Sequence, residues 1–444
     1  VDADLLTTLE LSNPWLRTPD RFPEAATARL PERWVPRALE RDPSWPVLGK
    51  ANLLVGARQV GKSSLLWRRC VTRGTPPLFL NAEEPAVRRW STSPVRALAD
   101  LHGLLRPGMV VFVEEAQRLP DAGLFLKGLV DGGLKHELLV TGSSAFHLQA
   151  HTRESLAGRA ARAALGPLAL RELAADLPED EPPLLRARRL EELALTLAVR
   201  GGYPEVWTAD DPRLPLRHLI EAFVIRDASD LFQVQHLDAF RRLLQLIAGQ
   251  VGSLANHAEW ASICGVSSDT VARYIDLMVE THVLYRALPF AGGRRAELTH
   301  RPKVYFADTG LRNALLRRLE PLSQRVDPVD RGAVFESWVG GELRKLLSPL
   351  QPGDELRYWR TRSGAEVDFV VPRPDGLLAY EVKATRLRRP KLTRSARSFV
   401  DAYGPRQLFV VNLSLEHRER VGGTEVCWVT PAAFADPAQV GLEA

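Results

Sequence analysis

The stretch ANLLVGARQVGKSSLLWRRC, residues 51–70, decides the fold. Its apolar start is short enough for a strand, and KSSLLWRRC has the pattern of a helix. Between them GARQVGKSS, residues 56–64, fits G-x-x-x-x-G-K-[ST]. Glycines at those positions let backbone N–H groups wrap a polyphosphate at a helix N-terminus, where the helix dipole favours anions. The contacting residues are expected to be Gly56, Ala57, Arg58, Gln59, Val60, Gly61, Lys62, Ser63 and Ser64. In this pattern Lys62 reaches the β- and γ-phosphates and Ser63 ligates magnesium, so the expected cofactors are ATP and Mg2+.

Working outward, LFLNA, MVVFVEE and ELLVTGSS alternate with helical patterns, which predicts a parallel α/β sheet. MVVFVEEAQ, residues 109–117, ends in two acids at the carboxyl edge of its strand. Glu114 is placed to hold magnesium through water, and Glu115 to polarise the attacking water. Thr141 or Ser143, at the end of ELLVTGSS, is placed to sense the γ-phosphate. Arg159, in SLAGRAAR, reads as a helix arginine and a candidate finger acting on a neighbouring subunit. Residues 1–50 are Pro- and Arg-rich, and ERWVPRALERDP looks like a short helix leading into the first strand.

Residues 171–250 are rich in Leu, Ala and Arg at helical spacing, interrupted at GGYPE. The segment 253–290 then reads as a winged helix. Leu254, Ala258, Ala261 and Ile263 form the apolar face of its first helix, and Ser268 or Asp269 caps its second. Val271, Ile275 and Met278 face inward, leaving Ser267, Thr270, Arg273 and Tyr274 outside. The glycine turn AGGRRAE carries Arg294 and Arg295, a basic wing tip suited to phosphate or minor-groove contact. Winged helices also serve as lids or subunit contacts, and only Arg273 is basic on the presumed recognition helix.

Downstream, AEVDFVVPRPDGLLAYEVKAT, residues 365–385, places Asp368, Glu381 and Lys383 in otherwise apolar strands. Buried carboxylates are costly unless they are paired or hold a metal. Glu381 and Lys383 are two apart and share a strand face, and a hairpin through PRPDG sets Asp368 beside Glu381. Glu336, on the helix AVFESWVGGEL, supplies a third carboxylate. Such a cluster suits Mg2+ or Mn2+ on a phosphodiester, with Lys383 helping to activate water. The alternative is a salt-bridged remnant in which Lys383 neutralises the acids. The arrangement resembles the PD-(D/E)xK nuclease core. Arg386, Arg388, Arg389, Lys391, Arg394 and Arg397 follow it with no acid among them, a positive rim fit for a nucleic-acid backbone.

At 444 residues the chain is too long for one ordinary core. No run of about 18 apolar residues is present, which argues against a membrane span. Cys70, Cys264 and Cys427 have no metal spacing and read as core thiols of a cytoplasmic protein, and the acidic N-terminus is wrong for a signal peptide. A net charge of +5 tolerates a nucleic-acid partner without requiring one.

Taken together, GARQVGKSS, VFVEEAQ, TGSS, SLAGR, PLALREL, GGYPEV, RPKVYFADTGLRNALL, GAVFESWVGGEL and GAEVDFVV…YEVKA resemble a widespread prokaryotic group of AAA-type ATPases. Its members join a P-loop ATPase to a C-terminal region with a winged helix and a restriction-endonuclease-like core. The resemblance implies an AAA-type ATPase domain at 1–165, a helical lid at 166–250, a winged helix at 251–312 and a nuclease-like domain at 313–444. It implies homo-oligomers, a hexameric ring among them, and DNA as partner. Glu114 departs from the Asp usual in such ATPases, which bears on metal geometry and turnover. Three functions follow as expectations: a DNA motor or remodeller, an ATP-gated metal-dependent nuclease, or a nucleotide-switched scaffold with an inert nuclease-like fold.

Overall fold

The four apolar runs of the first third are strands, and a fifth joins them. A computed structural model describes residues 2–142, 156–178, 180–223, 228, 234, 236–290, 292, 301–347 and 356–442. The chain divides into two units, Val1–Gly166 and Pro167–Ala444. In the first, β1 (Ala51–Val55), β2 (Pro77–Asn81), β3 (Val110–Glu114), β4 (Leu138–Gly142) and β5 (Ala160–Ala164) form one sheet in the order β2-β3-β4-β1-β5. Every pairing is parallel. Helices cover a parallel sheet on both faces, and all five residues of β1 are buried accordingly.

The N-terminal residues do more than lead into β1. Asn13 pairs with edge strand β2 as a strand would: Phe79 N donates to Asn13 Oδ1 at 2.7 Å and Asn13 Nδ2 donates to the Phe79 carbonyl at 2.9 Å. Trp15 Nε1 donates to the Pro77 carbonyl at 2.7 Å, so the sheet edge is protected from foreign pairing. The expected helix in ERWVPRALERDP is only a 3-10 turn, Ala38–Arg41, because Pro36 precludes a longer start.

The second unit holds a mixed sheet of eight strands, β12-β13-β11-β10-β9-β8-β6-β7. Its members are β6 (Leu284–Pro289), β7 (Lys303–Phe306), β8 (Arg357–Arg360), β9 (Glu366–Arg373), β10 (Gly376–Val382), β11 (Gln407–Val411), β12 (His417–Val421) and β13 (Thr424–Val429). The hairpin β6–β7 is not separate from the C-terminal strands. Leu288 and Pro289 pair in parallel with Arg357 and Tyr358, so the sheet runs across the boundary expected at residue 312.

Two glycine-bearing segments far apart in sequence form one joint here. Asp308, capping the helix Thr309–Leu315, accepts from Gly202 N at 2.7 Å and from Leu311 N at 3.1 Å. Asn313 Nδ2 donates to the carbonyls of Ala198 and Val199. A methyl group on Gly310 would lie 2.0 Å from the Arg200 carbonyl oxygen, so only glycine fits. GGYPEV and ADTGLRNALL therefore carry a packing requirement.

The pair of helices expected from 253–290 is present as His257–Cys264 and Ser268–Glu280, with details that differ. Ser267, not Ser268 or Asp269, is the N-cap, its hydroxyl accepting from Thr270 N at 3.1 Å. Ala258 and Ile263 are exposed, and Trp260, Ala261 and Cys264 make the buried face instead. Tyr274 turns inward, edge-on to Phe240 with centroids 5.3 Å apart, because the preceding helix Leu237–Gly249 supplies an aromatic partner. Val271, Ile275 and Met278 are buried. The three cysteines are free and buried.

Candidate functional site

The loop 56–61 leaves the carboxyl end of β1, between β4 and β5, and enters the helix Lys62–Thr72. Ligands bind where neighbouring parallel strands diverge in this way. Gly56 has φ 154°, and a Cβ there would stand 2.1 Å from the Leu165 carbonyl oxygen. Gln59 and Gly61 take positive φ of 60° and 94°, curling the chain into a cradle that ends at the helix N-terminus. The first-turn N–H groups of a helix have no acceptor within it, so they serve an anion. Lys62 is buried, its ammonium donating to the carbonyls of Gly56 at 2.9 Å and Ala57 at 2.8 Å. A left-handed, glycine-built loop at a helix N-terminus, closed by a buried lysine, fits a nucleotide polyphosphate.

Ser63 donates a hydrogen bond to Glu114 across the mouth of the loop. Burial pushes the Glu114 carboxyl up, with Ser63 and the guanidinium of Arg29 opposing the rise. A hydroxyl and a carboxylate in contact beside the cradle fit an oxygen-liganded magnesium ion bound with the phosphates. Glu115 follows in the left-handed region at φ 53°, held by Gln117 Nε2 donating to its carboxylate. Strained backbone of this kind gathers at functional positions.

Thr141, expected at the γ-phosphate, is fully buried and accepts from Glu115 N at 3.3 Å, so it braces the acidic residue. Ser143 lies outside the described residues. Arg159 is likewise placed differently from a helix arginine: it precedes β5, its carbonyl accepting from Ala51 N at 2.9 Å. It therefore sits at the opposite end of β1 from the phosphate loop, roughly 17 Å away along five strand residues, and its guanidinium pairs with Asp131 at 2.5 Å. Its own loop is beyond reach. Arg37 escapes a reading of the sequence: buried, it donates to the carbonyls of Val60 at 2.8 Å and Gly166 at 2.7 Å, bracing the cradle. One arginine among several in a Pro- and Arg-rich stretch carries no signal of that role.

In the second unit, Glu381 and Lys383 share a strand face as their spacing requires, with Nζ 2.8 Å from Oε1. Thr393 Oγ1 donates to the other Glu381 oxygen at 2.9 Å. Burial alone would lower the Lys383 ammonium, yet Glu381 holds it above its ordinary value. The β9–β10 register, Phe369 opposite Tyr380, brings Asp368 up to the end of β10, where its Oδ2 accepts from Val382 N at 2.7 Å. Burial pushes the Asp368 carboxyl up to about 7, with Glu336 adding to the rise and Lys303 opposing it.

Of the expected metal set, Glu336 and Asp368 lie near enough for the one to raise the carboxyl of the other, and Lys383 feels Glu381, Asp368 and Glu336 together. Among the described residues no group of three or more His, Cys, Asp or Glu side chains is placed to hold a metal ion. The reason is a residue that the sequence does not single out. Lys303, 3% exposed, reaches Glu336 Oε1 at 3.2 Å and pairs with Glu366, while Tyr305 OH donates to Glu336 Oε1 at 2.6 Å. Lys303 and Tyr305 are two apart in KVYF, the same period-two signal that marks Glu381 and Lys383.

Of the candidate nucleic-acid contacts, Arg273 is exposed and lies against the Tyr274 ring, and Thr270 is half-buried. Arg294 and Arg295 lie outside the described residues. Arg386, Arg388, Arg389, Lys391, Arg394 and Arg397 are all exposed, and none forms an ion pair among the described residues. No helix among the described residues is long and apolar enough to cross a membrane.

This geometry defines an α/β protein with a P-loop domain, and the comparisons agree. Residues 49–174 match the AAA domain family, and residues 191–322 and 331–433 match two domains of unknown function, DUF8612 and DUF4143. An uncharacterized protein of Mycobacterium tuberculosis is 31% identical over 366 residues, covering 82% of this chain and 74% of that protein. One from Haemophilus influenzae is 24% identical over 397 residues, covering 85% of this chain and 92% of the relative. The chain belongs to the family of the mycobacterial protein, and it carries an AAA-type ATPase domain. The Thermotoga maritima RuvB Holliday junction branch migration motor is similar over 54% of this chain and 82% of its own, at 17% identity and a TM-score of 0.27, too loose a likeness to bear on function.

Proposed function

We propose that this protein hydrolyses ATP with Mg2+ as a homo-oligomer and couples hydrolysis to the remodelling or translocation of DNA. The observation that carries the DNA partner is the segment 386–397: six exposed cations with no acid among them and no ion pair among the described residues. Surface cations of this kind attract a phosphate backbone, releasing its condensed counterions. Thr270 and Arg273 on the helix Ser268–Glu280, with Arg294 and Arg295, form a second contact in the manner of a winged helix.

In the ATPase domain, Lys62 and the loop amides hold the phosphates, Ser63 and Glu114 hold magnesium, and Glu115 orients water. Arg159, out of reach of its own loop, acts on the nucleotide of a neighbouring subunit, which makes the oligomer a requirement of turnover. Replacing Arg386, Arg388, Arg389 and Lys391 together by alanine is expected to weaken duplex DNA binding at least about 10-fold near physiological salt. The slope of log affinity against log salt should fall by roughly 3 to 4, about 0.9 for each phosphate that is no longer neutralised. Fluorescence anisotropy of labelled DNA across a salt series measures both, and an unchanged slope would sink this assignment.

A further inference from the structure

Each acid of the cluster in the second unit is engaged by a neighbouring donor. Both oxygens of Glu381 are taken, one by Lys383 and one by Thr393. Asp368 Oδ2 takes the Val382 N–H, and Glu336 Oε1 takes both Lys303 and Tyr305. Glu366, the acid on the other side of Lys303, is also bridged by Arg360 at 3.3 Å. Magnesium demands near-octahedral oxygen coordination and keeps much of its water, and a buried ammonium in the midst of the carboxylates competes with it for their oxygens.

Lys303 itself is held as a cation. Burial works against its charge, but Glu336, Asp368 and Glu366 together raise the ammonium above its ordinary value. It projects from β7, while Glu336 comes from the helix Pro328–Leu346 and Glu366 and Asp368 from β9. One side chain thus gathers carboxylates from two other elements, as a bound ion would.

We infer that Lys303 stands where a nuclease would hold its divalent cation, and that this nuclease-like cluster is a metal-free, charge-balanced joint. The inference rests on the cluster's geometry and is independent of DNA binding, so either can fail without the other. It also separates the resemblance in fold from the chemistry the fold elsewhere supports.

The test is Mn2+ titration of the nucleotide-free full chain, followed by electron paramagnetic resonance of the free ion. Ser63→Ala and Glu114→Gln, present throughout, remove the ligands proposed at the phosphate loop. No saturable site up to millimolar Mn2+ is expected while Lys303 is present. Adding Lys303→Met should create one site per chain, lost again when Asp368→Asn is combined with it. One ion bound to the Lys303-containing chain and lost in Asp368→Asn would overturn the inference. So would a folded Lys303→Met chain, with unchanged circular dichroism, that binds no Mn2+. If Lys303→Met does not fold, the Lys303-containing chain and its Asp368→Asn variant still decide the matter.

Discussion

Replacing Lys62 by alanine is expected to lower ATP turnover at least about 100-fold, equivalent to ~2.7 kcal/mol of barrier. The ammonium is held inside the cradle by the carbonyls of Gly56 and Ala57, so it is already positioned when phosphate arrives. Nucleotide binding exchanges neutral carbonyl acceptors for charged ones, and hydrogen bonds between charged partners are roughly twice as strong as neutral ones. Preorganised charge of this kind is where most electrostatic catalysis comes from. Lys62→Arg is expected to fare little better, because the planar guanidinium is larger than a pocket that leaves Lys62 7% exposed. Turnover by phosphate release and affinity by a fluorescent nucleotide separate the two losses. Fold is expected to persist in both variants, since β1 and its neighbours do not depend on the lysine.

The second large effect is on folding. Asp308→Ala is expected to destabilise the second unit by about 3 kcal/mol, because the N–H groups of Gly202 and Leu311 lose their carboxylate acceptor inside the protein. Asp308→Asn is expected to lose less, keeping one oxygen acceptor while turning an amide donor toward the other N–H. Urea unfolding followed by tryptophan fluorescence reads both, with the midpoint falling further for alanine than for asparagine. Equal midpoints for wild type and Asp308→Ala would show that the joint between GGYPEV and ADTGLRNALL is not what the carboxylate holds.

What the sequence makes legible follows from how local each signal is. β1 to β4 are apolar runs beside helical patterns, and being covered on both faces forces that composition. β5 reads AARAA, with no strand preference of its own. It is extended because it lies along β1, which is a tertiary cause. Arg159 reads as helical for the same reason. The phosphate loop is a contiguous motif whose residues act where they stand, and the Glu381–Lys383 pair needs only the period of a strand. Lys303 needs more: its partners lie 33 and 63 residues onward, on a helix and another strand, and nothing local announces them. Tyr274 departs from expectation differently: it is a polar-tipped residue at a boundary, and Phe240 of another helix draws it inward.

In the function proposed, ATP hydrolysis and DNA engagement are coupled in one protein. Its most direct test is the steady-state ATPase rate of the wild-type chain with single-stranded, duplex and four-way-junction DNA, at low and high salt. The coupled reading predicts several-fold stimulation by at least one DNA form. That stimulation should be lost at high salt and in the Arg386/Arg388/Arg389/Lys391 alanine variant, whose basal rate stays intact. A normal basal rate that no DNA form changes would contradict it, and would leave a nucleotide-switched scaffold as the reading of this chain.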